Sequence, residues 1–393
     1  MNPRRSDLLA TALWTLAFLI AADFALGRVF RMPADPRQPP APLAQYFDFG
    51  ASIESKMRRM VAAEDSASAP VALAGWLEPF NDGNAPLAAP AGRRLVAVYG
   101  QSFTFQLTQA LAALDSTILL RTRGGPSSPA SHGYAFWQSD RGRVHAEVAI
   151  LGVLASSVRG LDASSAATWE FEAPPLYTYP RYRVDARGRP VPHPPYVLSL
   201  AGVRAALADP VRMRAWQAQL ARDDDWYDPL LWRASWLDHS VFARVLRRAW
   251  AQRQQREHLA RVHGRAGFRE DSDNLRTLRA LIGSFVEGCR ADGTLPVVLL
   301  LEDAGYADHL SRALGPELDR RGALWMGTHE LADAGNPANL KADGHFIPAL
   351  NERLARALLA RLDSVRGVAG PGIAPPRQDS PRRPAPASER AGK

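Results

Sequence analysis

The sequence predicts an α/β domain: a parallel sheet with helices on both faces, a mostly helical insertion, and an apolar helix ahead of everything else. Three observations predict it. Short, continuous apolar runs alternate with amphipathic stretches, the pattern of strands buried on both sides and joined by crossover helices. A long middle section rich in Trp and Arg breaks that rhythm and reads as an addition to the sheet. Near the start, the twenty residues from Leu8 to Gly27 are apolar but for Asp23.

Taken in order, Arg4 and Arg5 precede an apolar stretch, Leu8 to Gly27, broken only by Asp23. At about 1.5 Å per residue it matches the roughly 30 Å of a bilayer core. Its uncharged part, Leu8–Ala22, also suits the apolar region of a secretory signal, with Ala25-Leu26-Gly27 as a cleavage site. An uncleaved anchor is the preferred reading, and the basic residues before it favour a cytoplasmic N-terminus, although Arg28 and Arg31 weaken the asymmetry. Either way the bulk of the chain is expected outside the cytoplasm. Residues 34–92 are rich in Pro and Ala and read as a spacer, with one possible helix over 44–63.

The main domain is expected over residues 93–365. Leu95–Tyr99 reads as the first buried strand, Phe103–Leu114 as a helix, and Thr117–Leu120 and Ala146–Leu151 as the second and third strands. Leu275–Arg290 has helical periodicity and leads into a strand over Pro296–Leu301. A helix over Tyr306–Arg320, a fifth short strand in "GALWMG" and a last helix over Ala349–Leu362 complete the pattern. The insertion is expected over about 165–268, beginning with a hairpin over Tyr177–Val184 that turns at Asp185–Gly188. Residues 366–393 are low-complexity and rich in Pro and Arg, a composition that buries no core.

Composition narrows the function classes. The chain has 393 residues and a formal charge of +8, of which the tail supplies six basic and two acidic residues. The remaining positive charge is almost all arginine scattered among acids, with no basic stripe interleaved with aromatics, so no nucleic-acid partner is expected. Cys289 is the only cysteine, which rules out an intramolecular disulfide. There is no P-loop, no dinucleotide-binding glycine motif after a strand and no zinc spacing, so neither cofactor nor metal is expected.

The chemistry is expected at the carboxyl ends of the strands. Gly100 permits a tight turn after the first strand, and Ser102 then falls at a helix N-terminus, where backbone N–H groups and the helix dipole favour developing negative charge. Serine is also a preferred helix cap, so this position alone is ambiguous. Far along the chain, Asp343-Gly344-His345 sits on a loop just before the last amphipathic helix. A nucleophilic serine needs a base, and the base needs a carboxylate to fix its tautomer. A parallel sheet would bring these two segments to one rim.

Those residues carry a resemblance. "YGQSFTF" is similar to the first sequence block, and "DGHFIPALNERLA" to the last, of the SGNH/GDSL hydrolase superfamily, esterases and acyl-transfer enzymes on a flavodoxin-like three-layer sandwich with a five-stranded parallel sheet. The resemblance implies Ser102 as nucleophile, His345 as base and Asp343 as orienting carboxylate. It implies an oxyanion-hole glycine at Gly124 or Gly125. Where the family's third block has Asn, this chain has Leu154 after Gly152, with Ser156 or Ser157 as substitute donors. The Asp-x-His spacing resembles the envelope branch that handles O-acetyl groups of polysaccharides. The implied protein is a serine esterase or acyltransferase of the bacterial inner membrane, single-pass, with its catalytic domain in the periplasm and an ester or glycan substrate, or a secreted one if the first helix is cleaved. The alternative is a catalytically inactive glycan-binding or envelope-assembly relative; a third reading is a tethered scaffold whose tail docks a partner.

Other residues compete less well. His132 is expected on a loop after the second strand, His258 and His263 five apart on a helix, and Asp238-His239 without a partner serine. Glu302-Asp303 ends the fourth strand, and capping suits it better than catalysis. Trp226, Tyr227, Trp232 and Trp236 suit either a core or stacking on sugar rings.

Overall fold

A computed structural model of the chain describes residues 3–35, 38–62, 74–77 and 86–368. Five strands form one parallel sheet: β1 (Arg94–Gly100), β2 (Ile118–Gly124), β3 (Val148–Leu154), β8 (Leu295–Leu301) and β9 (Leu324–Gly327). Their order is β2-β1-β3-β8-β9, every neighbouring pair being parallel, an order compatible with a flavodoxin-like sandwich. The short strands β4 (Arg181–Val184), β5 (Pro190–His193), β6 (His263–Gly264) and β7 (Gly267–Phe268) make two separate hairpins.

Alternation along the strands explains the layers. Ala97 and Tyr99 of β1, Leu151 and Val153 of β3 and Val298 and Leu300 of β8 face one core, closed by the helices Ala130–Asp140, Asp273–Ala291 and His309–Arg320. Val96 and Val98, Ile150 and Leu154, and Val297 and Leu299 face the other, closed by Ser102–Leu114 and Pro348–Val368. Both faces are dry, which is why these strands read as unbroken apolar runs.

The strands run longer than their apolar runs. β2 continues past Leu120 through Arg121 to Gly124, and β3 continues to Leu154. Arg121 sits fully buried in the strand because Asp140, at the end of the helix Ala130–Asp140, holds its guanidinium from Nε and Nη2, both at 2.8 Å. That helix covers residues expected as a loop, His132 included; Pro129 at its N-cap position starts it. The hairpin is shorter than expected, pairing Arg181–Val184 with Pro190–His193 around a turn in which Gly188 has φ +77°.

The insertion owns a third core around Trp169, Tyr177, Tyr179, Trp216 and Trp232. The stretch expected as a spacer contributes to it. Its helices Pro42–Asp48 and Ile53–Ala62 break at Gly50, where a Cβ would lie 2.0 Å from the Arg244 carbonyl oxygen, and Ile53, Met57 and Trp76 are buried in the insertion's core. Asp238 ties the segment down, accepting from the Ser52 amide at 2.7 Å, the Ser52 hydroxyl at 2.9 Å and Arg247 at 2.6 Å. The rest of 34–92 falls largely outside the described residues, as does the tail from 369 onward; the last helix runs on to Val368.

Lys56 is buried in this joint. Its ammonium donates to the carbonyls of Phe49 at 2.7 Å and Phe171 at 2.5 Å and lies 3.8 Å from the Phe171 ring centroid. Burial pulls its pKa down to about 7. Between about 7 and its ordinary value of 10.5 the unfolded chain therefore binds more protons than the folded one, and stability rises with pH across that window. Lys56→Met is expected to flatten this rise, by on the order of a few kcal/mol, while lowering stability at pH 8 by roughly 2 kcal/mol because two carbonyls lose their donor. Urea melts of both proteins from pH 6.5 to 10 check it; parallel curves would show that Lys56 stays charged.

The N-terminal helix spans Pro3–Val29. Its Asp7–Val29 portion is long and apolar enough to cross a membrane or to serve as a signal sequence, and none of its most apolar stretch is buried against the rest of the protein.

Candidate active site

Ser102 is the first residue of its helix. Gln101 occupies the cap position, with extended backbone and no side-chain cap bond. The Ser102 hydroxyl instead lies 2.6 Å from Nε2 of His345. The cap reading is thus corrected: this side chain faces an imidazole 243 residues away in sequence. It is half-buried, and its own amide is among the N-terminal N–H groups that a helix leaves without an internal partner.

The fold brings the two together in steps. β1 lies between β2 and β3, and the order in which strands are added to the sheet reverses at it; the crevice at the carboxyl end of such a strand is where doubly wound sheets place ligands. The helix Ser102–Leu114 packs against the last helix, Pro348–Val368, on the same face. His345 lies three residues before that last helix. Its loop is pinned by Lys341 N–H to His345 C=O at 2.7 Å and by a bridge between Leu340 and Phe346, with Gly344 at φ +83°. Phe346 is buried and Phe103 nearly so; Phe103 stacks on the imidazole with centroids 4.7 Å apart at 28°, and Phe346 meets Phe103 edge-on at 5.0 Å. Sequence reasoning missed this aromatic clamp; its only signal is a phenylalanine beside each of the two polar residues.

Asp343 holds the imidazole from the other side. Its Oδ1 accepts the His345 amide at 3.1 Å, and its Oδ2 lies 3.2 Å from Nδ1. The second contact is within ion-pair range, but the ring N–H is not aimed well enough to make a regular hydrogen bond. The bond from the His345 amide, ahead of the imidazole itself, holds the Asp343 carboxyl below its usual range, so it is ionised at neutral pH. For Nε2 to accept the serine proton, Nδ1 must carry the ring's own proton, and Nδ1 is the nitrogen that faces this carboxylate. The order of contacts is that of a nucleophile, a base and an orienting acid.

The expected oxyanion donors are placed differently from one another. Gly124 ends β2 in register with Gly100, and a Cβ there would lie 1.7 Å from the Gly100 carbonyl oxygen, so only glycine fits. Gly125 is the first residue beyond the strand, where a Cβ would crowd Gly75 at 2.9 Å and the Tyr177 ring at 3.0 Å. Ser156 is tied elsewhere through its backbone: its amide donates to Asp303 Oδ1 at 3.0 Å. The Ser157 hydroxyl donates to the Leu154 carbonyl at 2.9 Å. Leu154 itself packs on the Phe103 and Phe346 side of the sheet.

A further residue sets the helix. Gly152 of β3 leaves room for Thr104, whose hydroxyl a Cβ at position 152 would meet at 1.9 Å. Thr104 Oγ1 donates to the Gln101 side-chain oxygen at 2.7 Å, inside the first turn that carries Ser102. Gly152→Ala is expected to push this turn outward, costing about 1–3 kcal/mol of stability and disproportionately more activity, since roughly 1 Å of misplacement can cost about 10² in rate. Thermal melts and ester kinetics on one preparation check it; unchanged kinetics would show that the turn does not set the serine.

The remaining candidates lie apart. His132 is fully buried and stacked on Tyr177 at 4.7 Å; burial pulls its pKa down to about 3, so it is a neutral core group and not a surface one. His258 stacks on Trp226 at 4.1 Å, and His263 faces His309 at 2.8 Å. Glu302 is buried and accepts from Thr328 and Ser311, joining the end of β8 to the turn after β9 and to the helix His309–Arg320. Trp226 and Trp232 belong to the insertion's core, Tyr227 is partly buried against it, and Trp236 is exposed. Burial pushes the Cys289 thiol up to about 12. A cavity of about 840 Å³ lined by Asp140, His145 and Asp292 lies apart, with none of Ser102, Asp343 and His345 in its lining. Among the described residues no group of three or more His, Cys, Asp or Glu side chains is placed to hold a metal ion.

Compared with known proteins, the chain matches no family model, no curated protein and no solved structure.

Proposed function

We propose that this chain is a serine esterase or acyltransferase of the SGNH/GDSL kind, acting on ester or O-acyl groups, with an extracytoplasmic glycan as the substrate class. The observation that carries it is the 2.6 Å contact between Ser102 Oγ and His345 Nε2, backed by Asp343. Ser102 Oγ attacks the acyl carbonyl carbon while its proton passes to Nε2. The carbonyl electrons move to oxygen, which the Ser102 amide and that of Gly124 or Gly125 would receive. Collapse of this intermediate expels the alcohol, which takes the proton from His345 and leaves an acyl-serine. Water or a sugar hydroxyl then attacks the acyl-serine, its proton returning through His345 to Ser102. Water makes the reaction hydrolysis; a sugar hydroxyl makes it transfer.

The location follows the N-terminal helix: held in the bacterial inner membrane, it would keep the domain in the periplasm next to envelope glycans. If the helix is cleaved, the domain would be secreted. The flavodoxin-like assignment rests on the strand order and on the serine's position at the reversal point of that order.

A fluorophosphonate probe tests the reading, because it labels only an activated serine. Peptide mapping is expected to find the label on Ser102, and prior alkylation of His345 to abolish it. A folded, unlabelled protein would favour the second reading, a non-catalytic glycan-binding relative. Leu154 in place of a side-chain amide and the capture of the Ser156 amide by Asp303 are the observations behind that alternative.

A further inference from the structure

The N-terminal helix does not end in free space. Asp23 Oδ1 accepts the Phe242 amide at 2.8 Å, and Gly27 packs on Val241, so its last turns dock against the start of the insertion's helix Val241–Val262. Beside this joint lies a cavity of about 490 Å³ lined by Arg28, Arg31, Arg59 and Arg244, with Asp48 as its one carboxylate. Arg59 is paired with Asp48 at 2.5 Å, and Arg244 donates to the Asp238 carbonyl. Arg28 and Arg31 are exposed, and the cavity's one carboxylate, Asp48, is taken by Arg59. A concave site with four guanidinium groups and one acid is complementary to a phosphate, which arginine binds bidentately.

A second observation says where that phosphate comes from. Phe242, Leu246 and Trp250 recur every four residues on the helix Val241–Val262 and are exposed, Leu246 at 72%, while Val241, Arg247 and Ala251 on its other side are buried. Trp236, in the turn just before, is 76% exposed. The stripe begins at the residue bonded to Asp23, so apolar surface runs on from the spanning helix. Arg28 and Arg31 stand at the end of that helix, at headgroup depth if it spans. Aromatics, a one-sided apolar helix and exposed arginines at one level are the features of a bilayer interface.

We infer that the Arg28/Arg31/Arg59/Arg244 cavity binds the phosphate of an anionic phospholipid in the leaflet around the anchor, and that the Trp236–Phe242–Leu246 stripe rests in that leaflet. This builds on the anchor reading, and it gives Arg28 and Arg31, otherwise out of place on the translocated side, a counter-charge. The domain is thereby held against the membrane and not at the end of a tether.

The test uses the full chain with a single fluorophore at Leu246→Cys or at Trp14→Cys; Cys289 is buried and does not compete. Each is placed in nanodiscs of phosphatidylcholine alone or mixed with phosphatidylglycerol, and quenching by nitroxide-labelled lipid is read. Position 14 is expected to be quenched in both. Position 246 is expected to be quenched about twofold more when phosphatidylglycerol is present. Arg28→Gln/Arg31→Gln is expected to remove that excess and to lower the phosphatidylglycerol retained on extraction about tenfold. Quenching at 14 without quenching at 246 overturns the docking and leaves the anchor. Absence of both overturns the anchor and the docking with it. Protection of 246 only in a dimer assigns the stripe to a second copy, and equal retention of the two lipids shows that the cavity takes no anionic headgroup.

Discussion

Ser102→Ala is expected to lower turnover of an activated acetyl ester by about 10⁴-fold or more while leaving the melting temperature nearly unchanged. Both halves follow from the same geometry. The hydroxyl's partner is the imidazole at 2.6 Å, so its loss removes the attacking atom. It is not the helix cap, a place held by Gln101, so no backbone donor is stranded when it goes. Alanine is also the best helix former for that position. Loss of activity together with stability would mean a structural hydroxyl. Retained activity would sink the catalytic reading outright. Asp343→Ala, measured alongside, is expected to be milder, because Asp343 is exposed and touches the ring through a poorly aligned contact.

Asp140→Ala is expected to be the most destabilising single change, by about 3–5 kcal/mol, with no direct role in chemistry. Arg121 is fully buried, and its fork meets both oxygens of Asp140; the Tyr99 hydroxyl donates to the same carboxylate at 3.1 Å. Removing the acid takes from a buried guanidinium and a buried phenol the carboxylate that both donate to. Arg121→Met with Asp140→Leu, which deletes the charges together, is expected to recover much of that loss, since a buried pair replaced by apolar volume costs little. Denaturant unfolding of the three variants checks both statements. A double variant no better than Asp140→Ala would show that volume, and not charge, sets the cost.

How much of this was written in the sequence depends on whether the signal was local. Strand existence was legible because burial on both faces demands unbroken apolar runs. Strand length was not: β2 runs on through Arg121 and Arg123, and the polar pair Arg121–Asp140 closes across 19 residues. The helix Ala130–Asp140 was missed for a similar reason. It is buried nearly all round, its polar His132 included, so it has no polar face to mark a period. The stretch with Ile53, Met57 and Trp76 looked like a spacer because its partners lie more than a hundred residues away in the insertion.

By itself the sequence determined the α/β alternation, the apolar N-terminal helix, the insertion and the types of residue able to do acyl chemistry. Each is a local matter of hydropathy period, turn chemistry or side-chain kind. Only the tertiary structure decided that Ser102 faces His345 and not its own helix, that the Ser156 amide is taken by Asp303, and that Arg28 and Arg31 at the end of the first helix meet Arg59 of the helix Ile53–Ala62 and Arg244 of the insertion. Those are distances between segments far apart in the chain, set by which strand ends the sheet brings to one rim and which cores close over them.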